Sequence, residues 1–154
     1  MGYTSKNQGY FNPRNPDKYV GSIDKIQFRS SWELHFNKFL DNNPNILRWS
    51  SEEISIPYRK PTTGKIHKYW PDYWIEYKDK DGNIKQELIE VKPKAQTAPP
   101  KQPKRPSKST KANQRRLNES ITYAVNVAKW KSAEAFCKKH GLTFRIVTEE
   151  ELFR

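Results

Sequence analysis

The spacing of apolar residues changes character several times along the chain. Over residues 1–22 no period is sustained, because Gly2, Gly9, Pro13, Pro16 and Gly21 interrupt it and the rings Tyr3, Tyr10, Phe11 and Tyr19 stand among polar residues. That composition predicts an arm without regular structure over 1–22, able to dock through its aromatics. From Trp32 the period is helical: Trp32, Phe36, Phe39 and Leu40 recur at i, i+4, i+7 and i+8. Ser30-Ser31-Trp32-Glu33 has the form of a capping box at the start of that helix, and Asn42-Asn43-Pro44 stops it.

Between 46 and 92 the period becomes two. Ile54, Ile56 and Tyr58 alternate, a long run follows from about His67 to Tyr77, and another spans Gln86 to Lys92; each reads as a strand. Asp79-Lys80-Asp81-Gly82-Asn83 separates the last two and suits a hairpin turn with Gly82 in the left-handed conformation. With Lys80-Asp81-Gly82 as a three-residue loop, Asp79 opposes Asn83, and the same register carries Asp72 opposite Glu90. A second helical period holds over about 112–139, with Leu117, Ile121, Ala124, Val125, Ala128, Ala135 and Phe136 on one face and Gly141 as the stop. Thr143 to Val147 reads as a short final strand. The order helix, three strands, helix, strand, without internal repeat, predicts a single α/β domain over 23–154, a central mixed β-sheet flanked by helices.

A chain of 154 residues is the size of one domain, and 34% hydrophobic residues with 13% aromatics imply a small, ring-rich core. Charge changes the picture more. The 29 Lys and Arg against 17 Asp and Glu leave +12, which fits a polyanionic partner, nucleic acid before any other. The excess is concentrated: residues 92–116 hold nine Lys or Arg and no acid, and 93–111 hold five Pro. An extended basic loop is expected at 93–111, with Lys94, Lys101, Lys104, Arg105, Lys108, Lys111, Arg115 and Arg116 as candidate DNA contacts. Charge runs are often merely solvated; this one leaves a strand directly after Lys92, which favours phosphate tracking. No run is long and apolar enough for a membrane span, and the start lacks the apolar stretch of a signal peptide, so a soluble, intracellular protein without a membrane partner is expected. One cysteine, Cys137, and three histidines exclude an internal disulfide and a His/Cys zinc set.

Phosphodiester hydrolysis with a divalent cation needs carboxylate ligands, an attacking water and a positive group near the phosphate. In Glu90-Val91-Lys92 the first and third side chains emerge from one face of a strand, and Asp72 opposite Glu90 brings two carboxylates and an ammonium together. Such a pair of opposed acids is costly unless a cation lies between them.

Pro71-Asp72 followed after 17 residues by Glu90-Val91-Lys92 resembles the PD-(D/E)xK nuclease motif, and the helix-then-strands order resembles that restriction-endonuclease-like core. Over roughly residues 3–100 the likeness is wider. Arg29-Ser30-Ser31-Trp32-Glu33-Leu34, Trp49-Ser50-Ser51-Glu52-Glu53, Ile56-Pro57-Tyr58, Tyr69-Trp70-Pro71-Asp72 and Ile89-Glu90-Val91-Lys92-Pro93-Lys94 resemble the head completion nucleases of T-even-type tailed phages. The endonuclease subunits of heteromeric bacterial transposases are more distantly similar. The resemblance implies a metal-dependent DNA endonuclease that hydrolyses phosphodiester bonds, processing packaged DNA before tail joining. It implies Asp72, Glu90, the Val91 carbonyl and Glu33 as the ligands of Mg2+, for which Mn2+ would substitute. Lys92 would orient the water and stabilise phosphate charge. It further implies DNA and phage portal or head–neck proteins as partners, and the host cytoplasm or the head–tail junction of the virion as the location.

Each residue has a plainer alternative. Glu33 fits a helix cap as well as a metal shell, and the two roles are compatible. Glu90 and Lys92 without Asp72 opposite would be a surface salt bridge. Tyr69, Trp70, Tyr73 and Trp74 fit a core better than a base-stacking platform, His67 is a minor candidate for a place near the phosphate, and Cys137 with His140 reads as a buried thiol beside a helix-end histidine. The rival functions are a non-catalytic DNA-binding or head-to-tail joining protein on the same fold, and an RNA-directed nuclease or binding module.

Overall fold

A computed structural model describes residues 8–105 and 108–153, so Gly2 and Tyr3 of the expected arm lie outside the described residues. The elements in chain order are β1 (Gly9–Tyr10), β2 (Gln27–Phe28), α1 (Ser31–Asn42), β3 (Ile46–Ser51), β4 (Ile56–Arg59), β5 (Ile66–Tyr69), β6 (Tyr73–Lys78), β7 (Ile84–Val91), α2 (Thr110–His140), β8 (Thr143–Val147) and α3 (Glu149–Leu152). The central sheet has the order β3-β6-β7-β8; β8 runs parallel to β7, and the other pairs are antiparallel. β1 with β2 and β4 with β5 form two small antiparallel pairs.

A layer of aromatic and aliphatic side chains covers each face of the sheet. On one face Phe36 and Leu40 of α1 pack with Trp49, Tyr73, Ile75, Ile89 and Val147. On the other, Trp130, Ala133 and Cys137 of α2 pack with Leu88 and with Ile56, Tyr58 and Tyr69 of the β4–β5 pair. Leu88 and Ile89 are adjacent, point to opposite faces and are both fully buried, as expected of an inner strand covered on both sides. The result is the expected single α/β domain with a mixed sheet between helices.

The hairpin register follows the turn. Lys78 pairs with Ile84 and Tyr73 with Ile89, the Asp79 amide donates to the Asn83 carbonyl at 2.9 Å, and Gly82 has φ +83°. This is the register that carries Asp72 toward Glu90.

Four features depart from the sequence reading. The run Ile54 to Tyr58, expected as one of the three sheet strands, gives β4 of a separate pair, and the first strand of the central sheet is β3, Ile46–Ser51. The single strand expected from His67 to Tyr77 is two strands in different sheets, β5 and β6, separated at Trp70-Pro71-Asp72. Pro71 has no amide to give to a ladder, so the pairing ends there. On α2 the buried positions are Asn126, Trp130, Ala133 and Cys137, whereas Leu117, Ile121, Ala124 and Ala135 of the expected face are exposed. The sheet supports only the later turns of this 31-residue helix, so Leu117 and Ile121 lie on turns beyond it, while Ala124 and Ala135 stand off the buried stripe of Asn126, Trp130, Ala133 and Cys137. The helix also begins two residues sooner than expected, where the Ser109 hydroxyl accepts from the Ala112 amide at 3.2 Å; Lys111 therefore stands on the helix, not in the loop.

The opening segment carries little regular structure, yet it is packed on the domain. Phe11 and Tyr19 are buried around Trp49, and the Tyr19 ring lies edge-on to it at 4.8 Å. The Lys18 ammonium donates to the carbonyls of Leu40, Asp41 and Asn43 at 2.8, 3.0 and 2.8 Å, satisfying the C-terminal end of α1. No helix among the described residues is long and apolar enough to cross a membrane.

Candidate active site

Three strands and one helix end deliver acidic side chains to one place. Ser51 of β3 pairs with Tyr73 of β6, and one step beyond that pair the Glu52 amide donates to the Asp72 carbonyl at 3.1 Å. Glu52 adopts a left-handed φ of +52°, unusual for a residue with a side chain, and ends the ladder there. Glu33 comes from the first turn of α1, held by its cap: the Ser30 hydroxyl accepts from the Glu33 amide at 3.2 Å, and a Glu33 carboxylate oxygen accepts from the Arg29 amide. Carboxylate oxygens of Glu33, Glu52 and Asp72 lie within 4.8 Å of one another.

The neighbouring strand supplies the rest. The Val91 amide of β7 donates to Asp72 Oδ2 at 2.7 Å, across the end of the β6–β7 ladder. Glu90 is buried; its Oε2 accepts from the Tyr69 hydroxyl at 2.7 Å, and its Oε1 lies 3.9 Å from the Lys92 ammonium. Glu33, Asp72, Glu90, Val91, Lys92 and Gln96 line one cleft of about 130 Å³. Asp72 is thus common to two groupings, the three acids on one side and Glu90 with Lys92 on the other.

The electrostatics are those of an acid cluster short of positive charge. Burial, and then the charge of Glu90, push the Asp72 carboxyl well above its ordinary range, with the Val91 hydrogen bond acting in the opposite direction. Burial also raises Glu33 and Glu90; for Glu90 the Tyr69 hydrogen bond and the charges of Lys92 and Lys129 oppose the rise. Arg29 offsets part of the excess through its guanidinium, which is ion-paired with Glu52. Oxygen-only carboxylate donors with a charge excess fit a hard divalent cation of the Mg2+ or Mn2+ kind, not a soft thiolate-seeking metal.

The remaining candidates are dispersed. Lys94 is tied to α3: its amide donates to both Glu149 carboxylate oxygens at 3.1 Å and its ammonium to Glu150 at 2.6 Å. Lys101, Lys104, Arg105, Lys108 and Lys111 are exposed; Arg115 lies 4.0 Å from Glu119, and Arg116 donates to Asn113 at 3.2 Å. His67 stands on the β4–β5 pair, 3.1 Å from the Thr63 hydroxyl, and does not line the cleft. Of the four rings weighed as core or platform, Tyr69 and Tyr73 are buried, Trp74 is half-buried and Trp70 is exposed.

Two further residues near the cleft carry no local mark of a site in the sequence. Glu52 stands within the Trp49-Ser50-Ser51-Glu52-Glu53 step, but only the backbone turn at the end of β3 brings it to Asp72. Lys129 lies in a helix that carries many cations, with nothing in its spacing to set it apart.

Residues 43–149 match the family model for the TnsA-like endonuclease N-terminal domain, a span that includes Glu52, Asp72, Glu90 and Lys92. The head completion nuclease of Enterobacteria phage T4 is 42% identical over 144 residues, covering 94% of this chain and 92% of that protein. A mixed sheet between helices, with its acids at one end of the strands, is the architecture expected of such an endonuclease. The chain belongs to the TnsA-like endonuclease family and is a relative of the T4 head completion nuclease.

Proposed function

We propose that this protein is a divalent-metal-dependent DNA endonuclease acting in phage head completion. The observation that carries the reading is the convergence of Glu33, Glu52 and Asp72 within 4.8 Å, beside a cleft that Glu33 and Asp72 line together with Glu90 and Lys92. Glu33, Glu52 and Asp72 would hold the cation, together with Glu90 and the Val91 main chain. When bound, such an ion supplies Lewis acidity at the phosphate and lowers the pKa of a ligated water.

The protein's own groups divide the remaining work. Lys92 presents an ammonium to the developing phosphate charge and to the attacking water, and Glu90 aims that ammonium. Tyr69 fixes Glu90, while Arg29 steadies Glu33 and Glu52. Exposed Lys101, Lys104, Arg105, Lys108 and Lys111 contact the phosphate backbone without reading sequence. The head completion task follows from the relative's name. Processing of packaged DNA before tail joining in the host cell, with portal or head–neck proteins as docking partners, extends that reading beyond the name.

Incubation with supercoiled plasmid tests the reading. Nicking is expected with Mg2+ or Mn2+ and absent with EDTA or with Asp72→Ala. Cleavage in EDTA, cleavage by Asp72→Ala, or intact plasmid in both metals would overturn it, the last outcome leaving a DNA-binding or head-joining protein.

A further inference from the structure

Lys129 of α2 is a half-buried lysine whose ammonium has no hydrogen bond or ion pair among the described residues. It faces two aromatic rings instead, 5.6 Å from the centre of Tyr69 and 5.9 Å from that of Tyr58. The Tyr69 ring is the one whose hydroxyl holds Glu90. The other charges that act on this ammonium are Glu90 and Asp72, which favour it, and Lys92 and Lys60, which oppose it. A strongly hydrated ammonium that is partly removed from water and has no hydrogen-bonded partner is unfavourable unless an anion completes the site.

The acids nearby act on Lys129 by charge alone and give its ammonium no hydrogen bond. Glu90 is engaged by Tyr69 and lies beside Lys92, and the Asp72 carboxylate accepts from Val91. Once a divalent cation is held by the acids, the surplus around Lys129 is positive. Aromatic faces hold the ammonium in place without neutralising it, leaving its three donors for a ligand.

We propose that Lys129, together with Lys60 of the β4–β5 hairpin, binds a backbone phosphate adjacent to the one being cut. This subsite is linked to Glu90 through the Tyr69 ring and takes a phosphodiester by charge, without base recognition. It rests on the nuclease reading for the identity of its ligand. It differs from the basic loop in being preformed, held by Tyr58 and Tyr69.

Lys129→Met keeps the aliphatic stem against the rings and removes the charge, while Lys129→Arg keeps the charge. Binding of a duplex oligonucleotide is measured in Ca2+ over a range of salt, and steady-state cleavage in Mg2+. Lys129→Met is expected to weaken binding about tenfold and to reduce the salt slope by about one. It should raise KM more than it lowers kcat, and Lys129→Arg should recover most of the affinity. Lys60→Met should show the same signature more weakly. If Lys129→Met binds DNA like the parent, or loses kcat at unchanged affinity, the subsite is refuted and Lys129 is a packing or positioning residue. A parent protein that binds DNA but cuts in no metal refutes the nuclease reading instead, and the binding arm still decides Lys129.

Discussion

The Tyr69 hydroxyl donates a 2.7 Å hydrogen bond to Glu90, joining the β4–β5 pair to the central sheet at the acidic cleft. Burial and the nearby Glu90 charge hold this phenol far above its ordinary range, so it remains a donor at every working pH. Tyr69→Phe is expected to lower the nicking rate about 10–100-fold, the usual cost of losing a group that orients a metal-site residue. Plasmid nicking at saturating Mg2+ measures it, and an unchanged rate would show that Glu90 needs no such support.

Glu52 separates charge from backbone strain. Glu52→Gln keeps the left-handed residue's side chain and removes its charge, so Mn2+ binding by calorimetry should weaken about 10–100-fold. Glu52→Gly relaxes the backbone as well and should match the glutamine variant in metal affinity while melting no lower. Undiminished Mn2+ affinity in both variants would remove Glu52 from the ligand set.

The raised carboxyls make metal-free stability depend on pH in a definite sense. A group whose folded value lies above its unfolded value stabilises the fold below the ordinary carboxylate range of about 4, and that contribution is lost as pH rises through the folded value. For Asp72, Glu33 and Glu90 the sign is therefore destabilising toward neutrality. In EDTA at pH 7, Asp72→Asn should melt a few degrees above the parent, and the gap should close toward pH 4. Mn2+ should raise the parent's melting temperature at pH 7 and far less that of the variant. Equal melting curves at both pH values would contradict the account.

The cations after Lys92 are not equivalent. Replacing Lys101, Lys104, Arg105 and Lys108 together with Gln should make the salt dependence of DNA binding shallower by up to about 0.9 for each phosphate no longer neutralised. Lys94→Gln should leave that slope nearly unchanged, because its ammonium is ion-paired with Glu150, and should barely change the melting temperature, the pair being exposed to solvent. Titrations from low to moderate salt distinguish the two variants.

How far these features are legible in the sequence depends on whether they have a local cause. The β6–β7 register is legible because Gly82 and the flanking Asp79 and Asn83 dictate the turn, and the cap of α1 because Ser30 and Glu33 act within one helical turn. The break between β5 and β6 is not, since Tyr69, Tyr73 and Tyr77 keep an alternating pattern across Pro71. The buried face of α2 is obscured because Leu117 and Ile121 have the right spacing but lie on turns the sheet does not reach. The grouping of Asp72 with Glu90 follows from the register; that of Asp72 with Glu52 requires the β3–β6 pairing, which joins residues distant in sequence and leaves no periodic trace.

The Lys92 amide donates to the Val147 carbonyl, and β8 can reach β7 only after the intervening loop and α2 have been made. Because domains fold in the order of synthesis, a nascent chain that stops short of β8 has its acids but lacks the edge that steadies the lysine-bearing strand. Completion of the cutting centre is therefore expected only once translation has passed Val147, and a fragment that ends before β8 is expected to hydrolyse poorly.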